Sequence, residues 1–188
     1  MDTARALLNI DRNVDRLAAL DLAACRAMQR RTGEWVRTLL ALVSRGGDGW
    51  VWASCALVLL VLDASGAGLV TVIEMAVAAA IGLPLYRVLK QRMARPRPCA
   101  AAGSGLVALV PALDLYSFPS GHTLHAVAFT AVILSHYPML AWLLVPFSVL
   151  VALSRVVLGL HYPSDVIAGA ALGSVLGLLP RLVDGVLG

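Results

Sequence analysis

Charge is what this chain of 188 residues has least of. Only 14% of its residues are Asp, Glu, Lys or Arg, against about 25% in soluble domains. With 60% hydrophobic residues and a mean hydropathy of +0.83, the composition excludes a water-soluble fold. It points to an integral membrane protein whose length suits one compact bundle. Cysteine is also scarce. Cys25, Cys55 and Cys99 are odd in number and form no CxxC pair, so they are read as small apolar fillers and not as a redox or metal centre. No apolar stretch of the kind found in signal peptides opens the chain, because residues 1–47 carry too much charge. There is no internal repeat and no long linker. A single domain over 1–188 is therefore expected, and the repeat symmetry of secondary transporters is missing.

What is present divides into an amphipathic beginning and an apolar remainder. Over residues 3–31, Leu7, Leu8, Val14, Leu17, Ala18 and Leu22 alternate with Arg5, Arg12, Asp15, Arg16 and Asp21. No uncharged run there approaches the ~20 residues of a membrane span, so this helix is expected to lie in the membrane interface. A short helix over 35–43 follows, and Ser44–Gly49 is read as a flexible turn at the water boundary. Together, 1–47 form the N-terminal helices and 48–180 a transmembrane bundle. Five spans are expected, at about 50–62, 69–89, 119–137, 140–153 and 166–179. Residues 99–118 are too short to span and are expected to lie over the bundle as a lid or a re-entrant piece. Gly169, Gly173 and Gly177, four residues apart, predict close helix packing. Glu74 is expected near the opposite membrane face from Lys90, with His136 on that same far face.

Following the spans back and forth brings three polar clusters to one rim. Lys90 and Arg97 leave the second span. Ser120, Gly121 and His122 begin the third. Arg155 ends the fourth, and His161 and Asp165 begin the fifth. Ionisable groups at such depth are costly unless they pair or act. Ser120 reads as a helix N-cap, with the amides of Gly121 and His122 facing an anion site at the helix start. Pro163 suits the first turn of a helix, which sets His161 just outside it and Asp165 within it. The four-residue spacing lets Asp165 accept a hydrogen bond from one ring nitrogen, leaving the other free to attack or bind. Arg155 offers a planar fork of donors for an anion, and His122 can protonate a leaving alkoxide. In the bland reading of the last cluster, Arg155 and Asp165 mark the membrane edge and His161 caps a helix.

These residues resemble the tripartite signature of the type-2 phosphatidic acid phosphatase superfamily. Its K-x-x-x-x-x-x-R-P motif stands as Lys90 to Pro98, its P-S-G-H motif as Pro119 to His122, and its S-R-x-x-x-x-x-H-x-x-x-D motif as Ser154 to Asp165. The resemblance covers about residues 48–180. It implies an all-α membrane phosphatase for lipid phosphates that needs no metal or other cofactor. It implies that His161 is the nucleophile forming a phosphohistidine, that Asp165 orients it, and that His122 is the general acid. Lys90, Arg97, Ser120, Gly121 and Arg155 would then be phosphate ligands. Many bacterial members begin with an extra apolar span, and here the amphipathic 3–31 stands in its place.

The motifs leave alternatives open. A phosphotransferase would pass the same phosphohistidine group to a lipid acceptor, and a binder or transporter of lipid phosphates would not need His161. A metal pair of His122 and His125 is conceivable, but no further ligand set closes it. Arg87, Arg92 and Arg95 are expected to be headgroup-facing anchors. The expected partners are a phosphorylated lipid and the surrounding membrane lipids, with no nucleic acid. Phosphatidate, phosphatidylglycerol phosphate, polyprenyl diphosphate and lipid A phosphate all suit a basic rim. The location expected is a bacterial-type inner membrane. Of the 15 Lys and Arg, only Arg181 falls on the face away from the rim, so the positive-inside rule puts the rim in the cytoplasm. Many bacterial members of the family face outward instead.

Overall fold

The computed structural model describes residues 2–112 and 114–187, with side chains described over 15–112 and 114–181. Helices carry the structure of the described residues: α1 (Asp2–Arg31), α2 (Glu34–Gly46), α3 (Trp50–Leu62), α4 (Ala67–Met93), α5 (Gly121–His136), α6 (Ala141–Val157) and α7 (Pro163–Leu187). The five expected spans fall on α3 to α7; the ends of α3 to α6 agree within four residues, while α7 runs past the expected 179 to Leu187. The side chains of Leu7, Leu8 and Val14 lie outside those described.

The ends of these helices follow from local chemistry. Asp63 closes the turn between α3 and α4 by accepting the N–H of Gly68 at 2.6 Å and of Ser65 at 3.1 Å, which satisfies donors left over at a helix start. Ala94 ends α4 in the left-handed region, its N–H returning to the Lys90 carbonyl. Ser120 caps α5 through its side-chain oxygen and the Thr123 N–H, and Pro163 opens α7.

α5 is the central helix, packed against α4, α6 and α7. Gly169, Gly173 and Gly177 lie against its backbone. A Cβ on each would fall 2.5, 2.4 and 2.6 Å from the carbonyl oxygens of Ser120, Leu124 and Ala128. Only a side chain of hydrogen permits that approach, as the spacing predicts. Trp52, Met75, Val132, Ile133, Leu144 and Val151 fill the core between α3, α4, α5 and α6. Outside, Leu57, Val61, Ile73, Val77, Leu143, Val149, Ile167 and Val175 are exposed. An apolar outer surface of this extent suits contact with lipid and not water.

Three helical stretches, Ala67–Met93, Pro138–Val157 and Pro163–Arg181, are long and apolar enough to cross a membrane. α2 and α3 pass the same test only as a pair, bent by 52°. α5 has 16 residues, about 24 Å of helix, and owes its central place to neighbours more than to length. The turn between α2 and α3 meets water at Asp48, which is exposed, while Gly46 and Gly47 just before it lie close to Phe147 and Val151 of α6.

α1 is more than an interfacial float. Asp21, Cys25 and Gln29 are buried along one stripe, while Leu17, one turn earlier on that stripe, and Leu20 are exposed. Gln29 donates to the Val107 carbonyl at 2.9 Å and accepts the Val107 N–H at 3.2 Å. Arg26 holds the Gly103 and Ser104 carbonyls at 2.7 Å each. The lid is thus fastened to α1 on one side, and on the other to the α6–α7 loop through Leu109 N–H and the Leu158 carbonyl.

Candidate active site

The four chain segments converge on one cavity of about 710 Å³. Lys90, Arg97, Gly121, His122, Arg155 and His161 all line it. Ser120 and Asp165 stand behind the wall, fully buried. The Ser120 hydroxyl is turned to Thr123 Oγ1 at 3.0 Å, and its N–H donates to the Asp165 carbonyl at 3.0 Å. Ser120 therefore joins the start of α5 to the start of α7 instead of facing the cavity. The amides of Gly121 and His122 begin α5, where no preceding turn supplies a carbonyl.

His161 is 1% exposed. Its Nε2 lies 3.4 Å from Arg97 Nη1. Burial pushes its pKa down to about 3; Asp165 opposes this, and Arg155, Arg97 and Lys90 add to it. At neutral pH the ring is uncharged and keeps a lone pair, as a nucleophile must. The expected hydrogen bond to Asp165 is corrected to a looser contact: Nδ1 and Asp165 Oδ2 are 3.7 Å apart, longer than a hydrogen bond. The reason is competition. Asp165 Oδ2 accepts the Tyr162 N–H at 2.8 Å, and Oδ1 accepts Arg95 Nη1 at 2.6 Å.

Arg95 is the second correction. It does not face headgroups. Its guanidinium also reaches Asp21 Oδ2 at 2.8 Å and Ser164 Oγ at 2.7 Å, and it stacks 3.9 Å from the Tyr162 ring centroid. Burial pulls its pKa down, but the carboxylates of Asp21 and Asp165 outweigh that and hold the charge in place. Arg87, by contrast, is exposed and lines the cavity mouth.

Three residues outside the expected set complete the site. Asp114, from the lid, takes Lys90 Nζ at 2.9 Å and Arg97 Nη2 at 2.7 Å on one carboxylate oxygen. Burial raises its pKa, but those two cations outweigh the effect and leave it below the ordinary carboxylate range. Asp48, in the α2–α3 turn, pairs through Oδ1 with His122 Nε2. Ser44 accepts a hydrogen bond from Arg155 Nη1. Asp114 was visible as the only acid of the lid, facing a run of cations; Asp48 and Ser44 carried no such signal. His125 turns its Nδ1 to the Gly121 carbonyl at 2.9 Å, away from any pairing with His122. Among the described residues, no cluster of three His, Cys, Asp or Glu side chains could hold a metal ion. On the far face, His136 Nε2 meets Glu74 Oε2 at 2.9 Å.

A neutral, buried imidazole among guanidinium and ammonium groups, at the rim of an apolar bundle, is the equipment of a membrane phosphatase. Residues 70–184 match the family described as the PAP2 superfamily. An undecaprenyl-diphosphatase of Sulfolobus acidocaldarius is 34% identical over 148 residues, which is 78% of this chain and 69% of that protein. A lipid A 1-phosphatase of Rhizobium johnstonii is 34% identical over 102 residues, covering 53% of this chain but only 42% of the relative. The crystal structure of a transmembrane PAP2-type phosphatidylglycerolphosphate phosphatase from Bacillus subtilis shares the fold. Its TM-score is 0.72 at 23% identity, with 92% of this chain and 88% of that one covered. The chain belongs to the PAP2 superfamily.

Proposed function

We propose that this chain, working as one unit over 1–188, removes a phosphate or diphosphate headgroup from a membrane lipid through a phosphohistidine on His161. The observation that carries this is the neutral His161, its Nε2 beside Arg97 in a cavity that also holds Lys90 and Arg155. A phosphoryl transition state needs positioning and charge stabilisation more than covalent help. Lys90, Arg97, Arg155 and the first amides of α5 supply both. Asp165 keeps a carboxylate 3.7 Å from Nδ1 of His161, His122 protonates the departing oxygen, and Ser120 holds the helix start that presents those amides. Water then attacks the phosphohistidine and releases phosphate. The relatives' substrates, undecaprenyl diphosphate and lipid A by their names, support a lipid phosphate here. So do Trp52, Leu83 and Phe129, which make one wall of the cavity apolar.

The test is phosphate release by the purified protein from a panel of lipid phosphates and diphosphates, with His161→Ala beside it. Wild-type protein should release inorganic phosphate, keep its activity in EDTA and lose it to vanadate. His161→Ala should be inactive. Near-normal turnover by His161→Ala overturns the mechanism, and phosphate recovered on a second lipid makes the protein a phosphotransferase.

The chain is a multi-pass membrane protein. We place it in a bacterial-type inner membrane, with the active-site face cytoplasmic because the basic residues crowd that face. Single cysteines at Arg31 and Met139, in a background without Cys25, Cys55 and Cys99, test this with an impermeant reagent on intact cells. Labelling at 139 and not at 31 is expected. The reverse pattern places the site outside.

A further inference from the structure

We propose that Asp48 is the positioning residue of His122, so that the α2–α3 turn forms a fourth part of the catalytic centre. The inference rests on the role of His122 given above. Asp48 lies outside the segment that matches the family, residues 70–184. It lines the cavity together with His122, and its Oδ1 meets His122 Nε2. The turn is built to put it there. Gly47 packs so tightly that a Cβ would come within 3.2 Å of the Ser44 carbonyl and of Val151. Gly49 takes a φ of +128° that other residues rarely adopt. The last turn of α2, just before it, supplies Ser44, on Arg155. One bend in a broken span thus holds two of the motif side chains from the side opposite α7.

The chemistry follows from the two nitrogens of one ring. Asp48 accepts a hydrogen bond from Nε2–H, which leaves Nδ1 as the nitrogen that exchanges a proton with the reacting groups. A carboxylate in that place holds the ring in one orientation and stabilises the imidazolium. In the first step, the lone pair of His161 Nε2 forms a bond to phosphorus. The bond from phosphorus to the lipid oxygen breaks, its electron pair staying on oxygen. His122 enters this step as the imidazolium, gives that oxygen the proton on Nδ1, and is left neutral with its proton on Nε2. In the second step, a water oxygen bonds to phosphorus, its proton goes to Nδ1 of His122, and the N–P pair returns to His161. Asp48 keeps its hydrogen bond throughout and touches no reacting atom. Asp165, behind the cavity wall, stands 3.7 Å from His161 Nδ1, a looser relation than that of Asp48 with His122.

The experiment compares Asp48→Asn, Asp48→Glu, His122→Ala and the double variant Asp48→Asn/His122→Ala. Two substrates are used: an alkyl lipid phosphate, whose leaving alkoxide needs a proton, and a long-chain aryl phosphate, whose phenolate does not. For Asp48→Asn, kcat on the alkyl ester should fall on the order of 10- to 100-fold with little change in KM. The first-turnover burst of phenol should keep its rate. Asp48→Glu should recover part of the loss, and Asp48→Asn should add nothing to His122→Ala. Equal losses in the first-turnover rate on both substrates, an additive double variant, or an unchanged Asp48→Asn overturns the proposal. His122→Ala separates this failure from a deeper one: if it shows no dependence on the leaving group, the role given to His122 falls as well.

Discussion

His161 has to stay uncharged beside three cations, and burial together with those cations secures it. The same fact makes acid destabilising. An unfolded histidine takes a proton near pH 6.5, while His161 in the fold holds out to about 3. Between those values the unfolded chain binds more protons, so stability rises with pH across that window and falls as pH drops through it. His161→Asn should flatten the pH dependence of the thermal inactivation midpoint between roughly pH 6.5 and 4. An unchanged slope would show that another group sets it. Arg95 makes the second argument at this scale. Arg95→Ala leaves Asp21 and Asp165 as buried carboxylates without a cation, a loss of about 3–5 kcal/mol. The variant should inactivate at a clearly lower temperature and turn over slowly, with Arg95→Lys in between. The motif residues were legible because each sits at a fixed spacing in one segment. Arg95 was misread because its partners are 74 and 70 residues away, and nothing in its own neighbourhood separates it from Arg92.

At the scale of elements, α7 on α5 was readable and α1 was not. Three glycines four residues apart state a packing face outright. Gly173→Ala should push α7 from the Leu124 carbonyl, at a cost of about 1–3 kcal/mol for an overpacked contact. Because Ser120 and Asp165 are tied across that seam, activity should fall along with thermal stability. Measuring the two together on the alanine variant checks the coupling. For α1, the pattern of Leu and Arg shows amphipathicity without showing which polar residues turn inward. Asp21, Cys25 and Gln29 share one stripe, but their types are ordinary on a solvated face. Gln29→Ala should release Val107 and make the loop 99–118 a faster target for limited proteolysis, while far-ultraviolet helicity stays the same. The α2–α3 turn was half legible. Its glycines and Asp48 read as water-facing, and Asp48 is indeed exposed, but nothing in the segment shows that its carboxylate reaches His122.

For the whole molecule, the decisive relation is between the cavity and the bilayer. Cations form its floor, while Trp52, Ala79, Leu83 and Phe129 from α3, α4 and α5 form an apolar wall. A lipid can then bring its phosphate to His161 with its tails still among neighbouring lipids. Binding energy from the tails would be spent on positioning the headgroup, so a short soluble ester should react poorly. Ala79→Trp should cut kcat/KM for a long-chain phosphate by about tenfold and leave a short ester nearly untouched. Equal losses on both esters would refute lateral access.

The lid carboxylate gives this site an unusual resting state. Asp114 is tethered a short loop away from Lys90 and Arg97, and its side chain is 40% exposed, so water reaches the exchange. A tethered group faces its partners at an effective concentration on the order of millimolar. On the proposed role of Lys90 and Arg97 as phosphate ligands, each phosphate, arriving or leaving, would trade places with this internal competitor, and its affinity would be a difference between two anions. The trade would keep the cations neutralised while the cavity changes hands, and would help the small product go. Removing the competitor should reverse that advantage: Asp114→Ala should bind inorganic phosphate more tightly, and its turnover should stall under product inhibition that the wild-type protein escapes.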